Sequence, residues 1–145
     1  MIWPIYSRKI SDDVKDVLLS GKVNYWTGKK CKKFESLFAK YIGIKYCSAV
    51  ANASVGLEIA LNALNIGKDD EVIVPSRSYI TTATSVLRVN AKPIFADIEN
   101  NSMNICVESI KSNINFKTKA IICVHLSGYP CDMNKIKKIA TKYNL

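Results

Sequence analysis

Apolar positions recur at helical spacing early in the chain, then give way to short apolar runs that alternate with further helical stretches. Ser11-Asp12-Asp13 reads as a helix start, with Val14, Val17 and Leu18 on one face and Gly21 as the stop. Phe34, Leu37, Phe38 and Tyr41 stand at i, i+3, i+4 and i+7 and predict a second helix from near Lys29 to Gly43. Beyond it, Tyr46–Val50, Glu71–Val74, Pro93–Ala96 and Ala120–Val124 read as strands. Ser54–Leu64, Ile80–Val89, Cys106–Ile114 and Met133–Tyr143 read as helices, the last behind a capping Asp132. This alternation predicts an α/β fold, a mostly parallel sheet sandwiched by helices. Residues 1–43 form an N-terminal helical segment in this reading, and 44–145 an alternating β/α core.

Composition narrows the class. With 145 residues, 48% hydrophobic and 23% charged, the chain has the make-up of one globular domain with a real core. No apolar run approaches the roughly 20 residues of a membrane helix, and MIWPIYSRKISDD lacks a signal-peptide stretch, so a cytoplasmic protein without a membrane partner is expected. Five cysteines, an odd set with no C-x-x-C, predict reduced thiols, and His125 as the sole histidine argues against a metal centre. The net charge of +9 would suit an anionic partner, but lysine supplies most of it. Arginine, the usual reader of bases and phosphates, occurs only at Arg8, Arg77 and Arg88, so nucleic acid is not the expected partner.

In a parallel sheet, ligands sit beyond the carboxyl ends of the strands. Three links would open there: Asn52–Gly56, Ser76–Thr82 and His125–Pro130. The first, Asn52-Ala53-Ser54-Val55-Gly56, has almost no side-chain bulk where a helix begins. Free N–H groups and the helix dipole there suit a phosphate, with Ser54 adding a hydroxyl. The same residues also suit a tight turn with Ser54 as an ordinary cap. Neither G-x-G-x-x-G nor G-x-x-x-x-G-K-[ST] occurs. Tyr79 in the second link can stack on a flat heteroaromatic ligand or pack on the sheet edge. His125 in the third can touch a ligand or serve the fold. The basic groups Lys29–Lys33 and Lys135–Lys138 read as solvated helix faces.

VNYWTG…FE, AVANASVGLEIAL, DDEVIVPSRSYITTAT, AKPIFADI and KAIICVHLSGYPCDM follow one another from Gly21 to Met133. In that order they resemble the DegT/DnrJ/StrS-type nucleotide-sugar aminotransferases, a branch of the fold-type I enzymes that use pyridoxal 5'-phosphate (PLP). The resemblance implies that the chain is the N-terminal part of the PLP-binding large domain. It implies that Ala53, Ser54 and Val55 hold the cofactor phosphate and that Tyr79 stacks on its pyridine ring. The family usually has Gly-Thr where Ala53-Ser54 stands here, which keeps the hydroxyl and stiffens the backbone. Tyr25, Trp26, Thr27, Gly28 and His125 are implied on the substrate side. The implied reaction moves an amino group from an amino acid, commonly glutamate, to a nucleotide-linked keto-sugar, in a homodimer with active sites at the subunit interface. The family's Schiff-base lysine and its acid for the pyridine nitrogen correspond to positions beyond residue 145. A 145-residue chain inactive by itself is therefore expected; the alternatives are a non-catalytic fragment that needs a partner chain, or a PLP-dependent sugar dehydratase relative.

Overall fold

The computed structural model describes residues 3–145, and the chain divides at Ala49/Val50 into two compact units. In the first unit, α1 (Arg8–Leu19) begins a turn earlier than Ser11 suggests. Ser7 is the cap, its Oγ accepting from the Ile10 N–H at 3.3 Å. Starting there lets Ile10 join Val14 and Val17 on the apolar face at i, i+4 and i+7, and leaves Asp13 to pair with Lys9 at 3.2 Å. α2 (Lys30–Ile42) stops at Gly43 as the spacing predicts, because Gly43 takes a left-handed φ of 78°. The N–H groups of Gly43 and Ile44 both reach the Ala39 carbonyl. Glu35 ties the segments before and after α2 together, accepting from the Tyr25 hydroxyl at 3.1 Å and the Ala49 N–H at 2.8 Å.

Tyr46–Val50 is not a strand. An apolar run becomes a strand only when a neighbouring backbone accepts its N–H groups. No ladder partner exists for it among the described residues, and Ala49 gives its N–H to a side chain instead.

In the second unit, α3 (Ala53–Ala63) precedes a regular alternation of β1 (Glu71–Pro75), α4 (Thr81–Arg88), β2 (Lys92–Ala96), α5 (Val107–Asn113), β3 (Thr118–Ile121) and α6 (Met133–Tyr143). The strands form one parallel sheet in the order β2-β1-β3. β3 lies earlier than its apolar run suggests, for two reasons. Glu71 pairs with Thr118 and so draws the start upstream. Pro75, whose place in the ladder faces β3, has no N–H to continue the pairing past the Ile122–Ile73 bond of 2.8 Å.

Strand alternation divides the core in two. Val72 and Val74 point to one face with Leu61 of α3 and Val86 of α4. Ile73 points to the other with Ile110 of α5 and Ile136 and Ile139 of α6. Every residue of β1 is buried, so both faces of the sheet are covered at its centre. Glu71 heads that strand and is nonetheless satisfied, by Asn115 Nδ2 at 2.7 Å and Lys92 Nζ at 3.7 Å. Among the described residues no helix is long and apolar enough to cross a membrane, and no group of three metal-ligating side chains occurs.

Candidate functional site

Asn52, not Ser54, caps α3: its backbone is extended and its Oδ1 accepts from the Val55 N–H at 3.0 Å. The Gly56 N–H is taken by the Asn52 carbonyl at 3.1 Å. Among the described residues the N–H groups of Ala53 and Ser54 have no acceptor, so two backbone donors stay open at the positive end of the helix dipole. Freed from capping, Ser54 Oγ donates to Thr81 Oγ1 at 3.3 Å. That contact joins the first link to the second, although the two are far apart in sequence.

The second link leaves β1 at Pro75 and enters α4. It is rich in hydroxyls, and Ser78 Oγ and Thr82 Oγ1 share a short hydrogen bond of 2.6 Å. Tyr79 stands out from this link at 77% exposure, with its ring face open to solvent. It is not packed on the sheet edge. Ser54, Thr81, Ser78, Thr82 and Tyr79 thus form one patch of small polar groups beside an available aromatic face.

Arg77 of the same link lines a cleft of about 630 Å³ with Leu126 and Ser127 of the third link, and with Asn104 of the loop after β2. His125 is exposed, and its Nδ1 accepts from the Cys131 N–H at 3.0 Å. Asn104 is the residue that sequence reasoning missed. It is 3% exposed, its Oδ1 accepts from the Leu126 N–H at 3.1 Å, and its Nδ2 donates to the Tyr129 carbonyl at 3.0 Å. The one available signal was an asparagine between Met103 and Ile105 in a segment that otherwise turns apolar.

Burial pushes the Cys123 thiol up to about 11, and the charge of a Cys131 thiolate would push it the same way. Burial raises Cys131 too, against backbone hydrogen bonds around the thiol that work the other way. Both thiols are therefore protonated packing groups at neutral pH. The Lys135 hydrogen bond holds the Asp132 carboxyl below the usual range while Asp132 Oδ1 caps α6 at the Lys135 N–H, 3.1 Å away.

Tyr25, Trp26, Thr27 and Gly28 belong to the first unit. Asn24 Oδ1 organises them, accepting from the N–H groups of Trp26 and Thr27, each at 3.0 Å. A Cβ on Gly28 would meet the carbonyl oxygens of Lys22 and Asn24 at 2.7 Å, so only glycine closes this loop. The Tyr25 hydroxyl titrates above its ordinary value because it donates to Glu35. Trp26 is 85% exposed.

Comparison with known proteins gives the family. The chain is 38% identical over 145 residues to GDP-perosamine synthase of Escherichia coli O157:H7, covering 98% of this chain and 40% of that protein. An aminotransferase from Psychrobacter cryohalolentis superposes with a TM-score of 0.97 at 46% identity, over 100% of this chain and 37% of that one. NtdA from Bacillus subtilis, solved with bound cofactor PMP, superposes with a TM-score of 0.89 at 32% identity, over 97% of this chain and 33% of that one. The chain thus spans well under half the length of these relatives. Its residues 4–145 match one family throughout, and on that match the chain belongs to the DegT/DnrJ/EryC1/StrS aminotransferase family.

Proposed function

We propose that this chain supplies the phosphate-binding and ring-stacking side of a PLP site, in an enzyme that transfers an amino group to a nucleotide-linked keto-sugar. The observation that carries this reading is the pair of open N–H groups at Ala53 and Ser54, joined through the Ser54–Thr81 hydroxyl contact to the link that bears the exposed Tyr79 ring. A phosphate against those amides would gain charge-assisted hydrogen bonds from the Ala53 and Ser54 N–H groups, and the Ser54 hydroxyl would turn its one proton from Thr81 to the phosphate. The Val55 N–H is held by Asn52, so Val55 contributes by keeping the helix start in place. Tyr79 would cover one face of the ring and exclude water from it. When bound, the cofactor supplies the electron sink for amino transfer.

Glutamate is the proposed amino donor. Tyr25, Trp26, Thr27 and Gly28, with His125, are the proposed substrate-side residues, in a homodimeric enzyme. The Escherichia coli relative is by its name a synthase of GDP-perosamine, a nucleotide-linked sugar, which supports a nucleotide sugar as substrate. Alone, the 145-residue chain is proposed to be catalytically inactive and to act with further residues that carry the reactive lysine. Its span of 40% of that relative supports this.

The test uses pyridoxamine 5'-phosphate, which lacks the aldehyde that would label lysines indiscriminately, against unphosphorylated pyridoxamine. The phosphate ester is expected to bind at least about tenfold more tightly, since charge-assisted bonds to backbone N–H groups carry the difference. Equal affinities for the two compounds would remove the phosphate reading.

A further inference from the structure

We propose that His125 is a fixed hydrogen-bond donor, presenting Nε2–H to an oxyanion of the bound ligand, and that Asn104 is the positioning residue that keeps it so. This inference rests on the functional reading above and assigns a role within that site.

The tautomer follows from one contact. The Cys131 N–H donates to His125 Nδ1 at 3.0 Å, so that nitrogen is an acceptor and a neutral ring must carry its proton on Nε2. The ring is exposed, and Nε2 has no acceptor among the described residues. Its one free polar position is therefore an N–H. A base needs a free lone pair, and this ring has none unless the Cys131 bond breaks.

The turn that carries the ring is closed at both ends. Cys131 is buried, its N–H is on His125, and its Sγ donates to the Val124 carbonyl at 3.2 Å. Between these points Ser127 and Gly128 take left-handed φ values of 52° and 83°, which for serine costs energy. Asn104 offsets that cost by bridging the two flanking residues, accepting from Leu126 and donating to Tyr129. Its two ends face unlike partners, so a flipped amide would set N–H against N–H. The turn follows β3 at the carboxyl edge of the sheet, and its Leu126 and Ser127 line a cleft with Arg77, which stands two positions before Tyr79 in the chain. A preset donor at that place suits a carboxylate, phosphate or phenolate oxygen.

Nitrogen-15 NMR on the intact chain tests both parts. The Cys131 amide and His125 Nδ1 should show coupling across their hydrogen bond, with Nε2 at the shift of a protonated ring nitrogen. The coupling should weaken in Asn104→Asp, which keeps the Leu126 contact, and vanish in Asn104→Ala. A missing coupling in the native chain, or a proton on Nδ1, would overturn the assignment, as would a coupling indifferent to Asn104. Pyridoxamine 5'-phosphate and glutamate, added separately, should distinguish the source of the oxyanion by which one moves the Nε2 resonance. His125→Gln, which keeps a donor, should hold that ligand within about threefold, and His125→Phe should weaken it about tenfold, the worth of one charge-assisted bond. Equal losses in the two variants count against a donor. Pyridoxamine 5'-phosphate that moves Ser54 while neither ligand moves Nε2 defeats the His125 assignment and spares the cofactor reading. Glutamate that moves Nε2 while Ser54 ignores the phosphate ester does the reverse.

Discussion

Ser54 and Asn52 divide two tasks that one residue often performs at a helix start. Asn52 satisfies the Val55 N–H, which leaves the Ser54 hydroxyl to reach Thr81 and the first two amides of α3 without acceptors. Ser54→Ala should therefore weaken pyridoxamine 5'-phosphate binding by about tenfold or more, the worth of one hydrogen bond to a charged group, with little loss of stability. Isothermal titration of the variant against the native chain reads this directly. Cys123 carries a different dependence. Its folded value of about 11 lies above the ordinary 9.0, so the folded state holds its proton where the unfolded state has lost it. The stability this contributes is present in full below pH 9 and drains away as pH rises toward 11. Thermal melts should show a steeper fall over that window in the native chain than in Cys123→Ala.

At the scale of elements, the periodicity was a good guide wherever a segment's partner lay close in sequence. α2 ends at Gly43 and α6 starts behind Asp132 because caps and left-handed stops are local chemistry written in single residues. The misreadings share one cause. Whether Tyr46–Val50 pairs, and where β3 begins, depend on which backbone lies alongside, and a run of apolar letters does not state that. The site divides the same way. The bare turn at Ala53-Ser54 and the aromatic at Tyr79 were visible in the chain, whereas Asn104 was not, because its partners, Leu126 and Tyr129, lie beyond an intervening helix and strand. Asn52→Ala tests the capping assignment: it should cost about 1 kcal/mol, a fall of about 3 °C in Tm for a domain of this size. Ser54→Ala should leave Tm nearly unchanged, and a reversed order of the two variants would return the cap to Ser54.

On the scale of the whole molecule, the two units differ in how much they bury. Among the described residues of the first, Ala39 is the sole buried hydrophobic side chain, while Phe34, Leu37 and Tyr41 of α2 are exposed. Helical faces of this kind are stable when covered, and in water they promote association. Sedimentation velocity of the purified chain should show species larger than a monomer that grow with concentration. A single monomeric boundary at every concentration would refute this.

The second unit has its own anchor in β1, whose side chains feed the apolar clusters on both faces of the sheet. Neither cluster can loosen without disturbing that strand, so fraying at α3 or α6 leaves it shut. In heavy water, the amides of Ile73 and Val74 should retain their protons longest, and their exchange rate would then gauge complete unfolding.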